Sequence, residues 1–564
     1  MDKCEETDIR HQIKLFYENL INKKIENLCS KERKNLGEIL YYMLVIVEEG
    51  FYGPDSSKQK LGQIKRSSIE RFIKELLRRG ATFKTLKYDH AKYNKYTQYI
   101  DEVIELAEMG IIVDSIEKTK GIDVIKVECI GKNEYELIFP EIEDDLDREE
   151  IYFNTNEEEI EIKSKPTQYL DALYITPNLS YIKEGSILEL KKSYSILNEL
   201  DKNIDWKFYS LCKESIKCDI KKIGSDFKSE IINSRTELID ILGFIYYLAH
   251  INLIKSGLNP VCINKPIEQG FVICYKKEEL LRLMSETTRV DIEIVNRYIE
   301  YLSFTKECKG RMNEYPLFDT GDYILFIPSS ILLNDFQFSI VNGHYDKGID
   351  ILDRKDTVSQ SVVDKIYNKC CNYKNIAIAE NKEYFVKDIK YKGKILKSDV
   401  DIALYDKLSN RVLVLECKWK ENVFLRYMNY KNTEKAVKRA YTWQLGRHKA
   451  FIELDYKNID LLFDDHEFLK SKPYFPIISY LMLDKRAQYH FDGKHIISEF
   501  ILSHLIDKYS YGNILRLDLI IDEIESMNTR VKYRKTDIKE TVVINENITI
   551  HNNKHYVKLS TYSI

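Results

Sequence analysis

Apolar positions in the first hundred or so residues recur every three or four residues, in "DIRHQIKLFYENLINKKIENL" and "LGEILYYMLVIVEEG", and predict helices. A basic helix, "SIERFIKELLRRG", follows and stops at Gly80. From Gly110 the period shortens to two, and "GIDVIKVECIGKNEYELIFP" reads as a β-hairpin around Gly131-Lys132-Asn133. The pattern then breaks from Glu141 to Lys163, where eleven acidic residues stand against Arg148 and Lys163. That run reads as a solvated loop or domain boundary; the alternative is a mimic of nucleic-acid charge. Helical spacing returns from about Tyr181 to Gly257. Its most apolar part, Ile241 to Ile254, is short and carries His250 and Asn252, as a buried core helix does and a membrane span does not.

Between Tyr275 and Pro328, "KKEELLRLMSETTRVDIEIVNRYIEYLSF" predicts two short helices separated by Ser285 to Thr288. The segment "EYPLFDTGDYILFIP" adds a hairpin turning at Asp319 to Asp322. Helix, turn, helix, hairpin is the order of a winged-helix module. The second helix is acidic (Asp291, Glu293, Glu300), which favours packing or protein contact over a DNA groove. Further on, a helix from about Ser359 to Tyr373 precedes short strands at Ile376–Ala379 and Tyr384–Ile389. Strands Asp399–Tyr405 and Arg411–Lys418 follow, joined by the turn "DKLSN". A long helix Glu434–Leu454, a strand "FPIISYLML" and a closing helix "HIISEFILSHLIDKY" complete this region.

At 564 residues the chain exceeds one hydrophobic core, which stops growing at roughly 250–300 residues. The pattern divides it into a mostly helical 1–150 with a hairpin, a helical and mixed 151–345, an α/β segment 346–510 and a β-rich extension 511–564. The expected class is multidomain α+β. With 86 Lys and Arg against 90 Asp and Glu, the formal net charge is −4 and no global basic field marks a nucleic-acid partner. Any such site is local. Eleven cysteines without repeated spacing, behind a charged N-terminus, suggest reduced thiols in a cytoplasmic protein; Cys370-Cys371 and Cys212/Cys218 lack zinc-ligand spacing. No phosphate-binding G-x-x-x-x-G-K-[ST] loop, H-E-x-x-H helix or G-x-S-x-G elbow is present.

The candidate chemistry lies in "SDVDIALYDKLSNRVLVLECKWK", where an apolar strand ends in Glu416-Cys417-Lys418. Alternation puts Asp399 and Asp401 on one face of the first strand, and Glu416 with Lys418 on one face of the second. Paired as a hairpin, the strands bring the Asp401 and Glu416 carboxylates close, and two adjacent carboxylates favour a cation between them. Mg²⁺ or Mn²⁺ suits such a pair, because a hard ion uses one or two carboxylates together with waters and phosphate oxygens. Lys418, one pleat on, is placed to polarise a water or neutralise a phosphorane.

Asp, fourteen residues, then Glu-x-Lys resembles the signature of the PD-(D/E)xK nuclease superfamily, the restriction-endonuclease-like fold, and the order of elements from about Asp350 to Tyr509 matches its core. The resemblance implies a metal-dependent nuclease with Asp401 and Glu416 as metal ligands, Asp399 as an alternative ligand and Lys418 as the catalytic lysine. It also implies an acid on the first helix, here Asp364 in place of the more usual Glu. RecB-like and lambda-exonuclease-like relatives add a Gln on the following helix, where Gln444 stands. Helical spacing sets Val437, Tyr441, Gln444 and His448 on one face.

Nine basic residues between Lys418 and Lys449, Lys420, Arg426, Lys438, Arg439 and Arg447 among them, interleave with Trp419, Phe424, Tyr427, Tyr430, Tyr441 and Trp443. With His448 they form the candidate nucleic-acid surface. The expected function is hydrolysis of phosphodiester bonds, DNA favoured, with residues before 345 serving recognition, sensing, a protein partner or activator, or self-association. By architecture such chains look like effectors of bacterial restriction or anti-phage defence. The alternatives are an RNA-cleaving nuclease and a non-catalytic nucleic-acid-binding or scaffold subunit.

Overall fold

The computed structural model describes residues 3–52, 69–99, 113, 126–138, 151–152, 157–262, 272–352, 358–419, 435–463, 475–526, 533–544 and 548–558, apart from short gaps within these stretches. The fold is mixed α+β and divides into two compact units, each assembled from separated stretches of chain. One comprises Lys14–Asp114 and Thr155–Asp353; the other comprises Met1–Ile13, Ser115–Asn154 and Arg354–Ile564. Four consecutive segments were expected, and strand pairing explains the difference. The hairpin Lys126–Gly131 and Glu134–Ile138 joins the C-terminal hairpin Tyr533–Ile544 and Ile548–Lys558 through a parallel pairing of Ile550 with Tyr135.

The first unit is largely helical. Leu36–Tyr52 is buried nearly all round, and its fully buried Glu48 accepts a hydrogen bond from the Ser329 backbone N–H at 2.8 Å and another from the Ser329 hydroxyl. The acidic run is not loop throughout: a helix begins at Glu157 and continues to Leu170, its glutamates gathered at the positive end of the helix dipole. Arg235–Cys262 is longer than the apolar stretch predicted; Arg235–Leu258 is long and apolar enough to cross a membrane, and 61% of its apolar window is buried inside the protein.

Helices Lys277–Thr288 and Ile292–Leu302 follow in this unit, with a three-stranded sheet in which Tyr323–Phe326 lies between Ile273–Lys276 and Leu317–Asp319. The break between the helices was expected at Ser285 to Thr288 but falls after it. Arg289 takes a left-handed φ of 60° and Asp291 caps the next helix, its carboxylate accepting from the Glu293 N–H at 2.8 Å.

The second unit is built on a seven-stranded mixed sheet. Its core strands are β1 (Ile376–Tyr391), β2 (Lys394–Asp406), β3 (Arg411–Lys418) and β4 (Ile477–Asp484). β1, β2 and β3 form an antiparallel meander, and β4 pairs parallel to β3. The two short strands expected over 376–389 are one strand, with Asn381 at φ 47° in its middle. The expected closing helix splits into a strand, Lys494–Ser498, and a helix, Glu499–Lys508. The β-branched His-Ile-Ile run pairs beside β4, and Ser498 caps the helix through the Ile501 N–H at 3.2 Å.

One face of this sheet buries Ala403, Tyr405, Val412 and Val414 against Leu445, Phe451, Ile452, Ile459 and Leu462. The alternate positions Ile402, Leu404, Leu413 and Leu415 are equally buried, so the other face is covered too. Helices Gln360–Cys370, Glu499–Lys508 and Leu517–Ser526 pack there.

Candidate active site

The register of β2 and β3 pairs Ile402 with Leu415, which sets Asp401, in the middle of β2, across from Glu416, near the end of β3. Strict alternation fails here. Val400 and Ala403, three residues apart, pack into the same apolar cluster. The irregularity is matched on β1, where left-handed Asn381 lies across from Asp401, between the pairs Val400–Lys382 and Ile402–Glu380. Asp401 thereby turns toward the end of β3, where its Oδ2 accepts the Cys417 backbone N–H at 2.7 Å.

Glu416 is 2% exposed, and three side chains contact it. The Lys418 ammonium and the Gln444 amide both donate to its Oε1. His448 Nε2 lies 3.3 Å from Oε2, and His448 Nδ1 lies 2.9 Å from the Tyr384 hydroxyl. An ionised carboxylate only accepts, so Nε2 carries a proton and donates to Glu416. Tyr384 is itself fixed by stacking on Phe451, ring centroids 4.0 Å apart.

The two carboxylates are driven apart in acidity. Burial, then the neighbouring negative charges of Glu416 and Asp399, push Asp401 up to about 7 against the relief offered by Lys418 and the Cys417 N–H. Burial would also raise Glu416, but the His448 hydrogen bond and the Lys418 ammonium outweigh it and hold Glu416 below the usual carboxylate range. The pair therefore carries one negative charge firmly and a second reluctantly. A cation between them would relieve that conflict.

Among the described residues no group of three or more His, Cys, Asp or Glu side chains comes together as a metal cluster. The expected third acid, Asp364, accepts at Oδ1 from Gln360 Nε2 (2.8 Å), which also donates to Glu380 Oε1 (2.6 Å). What remains still fits a hard divalent ion that keeps most of its waters. Asp401 and Glu416 supply two carboxylates, and Gln444 Oε1 is buried without a hydrogen-bond partner beside them.

Gln444 reaches the site on a π-helical turn, Arg439–Gln444, that runs into the helix Leu445–Ile452. A π-turn rotates successive side chains less than an α-turn does, which carries Gln444 inward and leaves Arg439, Thr442 and Trp443 along an adjoining cleft. Close approach at Gly446 supports the turn. The Tyr391 hydroxyl occupies the space a Cβ there would need, and donates to the Thr442 carbonyl at 2.6 Å.

The cleft has a volume of about 1050 Å³. Lys394, Lys435, Lys438, Arg439 and Arg447 line it, Asp399 is its acid, and Gln444 leads from it to Glu416. Of the expected nucleic-acid residues, Lys438, Arg439 and Arg447 are thus brought together, while Lys420 and Arg426 lie outside the described residues. His448 is a correction: it is fully buried behind Glu416 and presents nothing to a ligand at the surface. Trp443, expected on this surface, lines the cleft, whereas Lys394 and Tyr384 were not singled out by sequence. Lys394 enters only through strand pairing, and Tyr384 only through its contact with a helix more than sixty residues on.

Comparison with protein-family models, with curated proteins and with solved structures finds no match for this chain.

Proposed function

We propose that the second unit is a metal-dependent nuclease of the PD-(D/E)xK type with a restriction-endonuclease-like core. The observation that carries this reading is the convergence of Asp401, Glu416, Lys418 and Gln444 from two paired strands and the following helix, at the mouth of a basic cleft. The order of elements around them, helix, meander of three strands, helix and parallel fourth strand, supports it independently.

Asp401 and Glu416 would hold Mg²⁺ or Mn²⁺, which when bound supplies Lewis acidity toward a phosphodiester and a water of lowered pKa. The remaining work belongs to the chain. The Cys417 N–H and the His448 imidazole hold the two carboxylates in place, so that little reorganisation accompanies reaction. Lys418, partly buried and paired with Glu416, would offset with its ammonium the charge that develops on the phosphoryl oxygens. The Lys and Arg side chains of the cleft bind the strand by its phosphates and aim it at the site.

The test is cleavage of plasmid, linear duplex, single-stranded DNA and total RNA with Mg²⁺, Mn²⁺ or EDTA, by the wild type and by Glu416→Ala and Lys418→Ala. Divalent-dependent cutting that falls by about 100-fold or more in both variants supports the reading. Retained binding without cutting in the wild type would replace it with a nucleic-acid-binding subunit.

A further inference from the structure

A basic cleft lies beside the carboxylate pair, reached through Gln444. Its volume of about 1050 Å³ is that of a generous small-molecule pocket, room for a few nucleotides of a single strand. A duplex keeps its bases stacked on one another and presents phosphates over a wide surface, whereas an unpaired strand offers base faces to an aromatic ring. Such a ring is present. Trp443 lines the cleft directly before Gln444, and Tyr391 braces it edge-on, with ring centroids 6.4 Å apart and planes at 83°.

Cations gather around that ring. Lys392 and Lys394 place their ammonium groups 5.4 and 5.7 Å from its centroid, and the Arg447 guanidinium lies 5.8 Å away. The indole face attracts these cations, and they cover it, so a base that stacks there displaces them from the ring toward its own flanking phosphates. Arg447 has a further unmet contact. One of its nitrogens reaches the Lys397 carbonyl at 3.5 Å, while its Nε is buried without a hydrogen-bond partner.

The geometry points to recognition of an unpaired nucleic-acid strand, with a base stacked on Trp443 and its flanking phosphates held by Lys394, Lys435, Lys438 and Arg447. The inference rests on the nuclease reading for what happens to the strand, but the binding does not depend on cleavage. Stacking tolerates every base, so recognition is independent of sequence, and a single-stranded region, an overhang or a frayed end serves as substrate.

Affinity is measured in EDTA by anisotropy of labelled oligo-dT, oligo-U and a blunt duplex of matched length, alongside quenching of intrinsic tryptophan fluorescence. The single strands are expected to bind at least tenfold more tightly than the duplex, with the dT and U arms showing which sugar is preferred. Trp443→Ala is expected to weaken strand binding about tenfold or more. Trp443→Phe keeps a stacking ring, so affinity stays within about threefold of wild type while the quenching is lost, which also controls for folding. Lys435→Glu, at an exposed position, is expected to weaken binding and flatten its salt dependence. Equal or tighter binding of the duplex, or undiminished strand affinity in Trp443→Ala, overturns the inference. Strand binding without cutting in Mg²⁺ would sink the nuclease reading alone, and duplex cutting indifferent to Trp443 would sink this inference alone.

Discussion

His448 Nε2 stands 3.3 Å from Glu416 Oε2, with the imidazole fully buried and its other nitrogen taken by Tyr384. The imidazole therefore acts on the site through Glu416, fixing the orientation of that carboxylate and favouring its charged form. Removing it in His448→Ala is expected to lower cleavage about 10- to 100-fold, the usual effect of losing a group that orients a metal ligand. Because His448 helps hold Glu416 low, its loss raises Glu416 and weakens the pair's hold on a cation, so the Mg²⁺ concentration for half-maximal cutting is expected to rise. Tyr384→Phe, which removes only the hydroxyl, should cost less and raise that requirement less. A rate lost in His448→Ala with an unmoved Mg²⁺ requirement would mean a packing role only.

Asp401 gives the opposite sign. Its folded-state pKa of about 7 lies above the ordinary carboxylate value, so between those two pH values the native protein holds a proton that the unfolded chain releases. Stability without metal therefore falls as pH rises through that window. Asp401→Asn removes the burden and is expected to melt about 2 °C or more above the wild type at pH above 7 in EDTA, with the gap closing toward the acid side of the window. Added Mg²⁺ should raise the melting temperature of the wild type at alkaline pH and leave Asp401→Asn unmoved. Thermal melts across pH, with and without the ion, check both expectations.

Much of this site was legible because strand periodicity is a strong signal. Two apolar strands joined by a short polar turn could pair in few ways, and pairing alone sets Asp401 across from Glu416. The helical spacing of Gln444 and His448 likewise placed both near one carboxylate, although it could not say that His448 would be sealed from solvent. Asp364 shares Gln360 with Glu380, a contact between elements that no local pattern encodes. The continuous strand through Asn381 was missed for a related reason: Glu380-Asn381-Lys382 reads as a turn, and only cross-strand pairing carries the chain through a left-handed residue as part of a strand. The assembly of each unit from distant stretches is tertiary pairing as well, as between Ile550 and Tyr135.

Gly446 is expected to tolerate no side chain while Tyr391 keeps its hydroxyl. A Cβ there would collide with that hydroxyl and approach the Tyr441 carbonyl oxygen to 3.2 Å, so either the tyrosine or the π-turn must shift. Gly446→Ala should lose about 1–3 kcal/mol of stability and reduce cleavage by displacing Gln444. Tyr391→Phe opens the space, and the double variant is expected to recover much of the loss relative to Gly446→Ala alone. Additive effects in that double-mutant cycle, measured by urea unfolding, would show that the two positions do not meet.

Glu499 is tied through Lys485 to the end of β3 that carries Glu416 and Lys418. It is buried in the first turn of its helix, with Lys485 Nζ at 2.7 Å and Lys365 Nζ at 2.8 Å, and the backbone N–H of Lys485 donates to the Lys418 carbonyl at 2.8 Å. Burial works against its charge, but the two ammonium groups prevail and hold it below the usual carboxylate range. A depressed carboxylate contributes stability that is present above its unfolded value and lost as pH falls through the folded one. Glu499→Gln leaves Lys485 buried opposite a neutral amide, and is expected to cost about 3–5 kcal/mol at neutral pH. The gap to wild type should narrow as pH falls below the ordinary glutamate range toward the depressed value of the folded carboxylate. Replacing both partners, as in Glu499→Met with Lys485→Met, removes the buried charge along with its need for a partner and should lie nearer the wild type than Glu499→Gln does. Urea unfolding of the three variants checks the order; a double variant no more stable than Glu499→Gln would show that the pair is held for something other than mutual charge compensation.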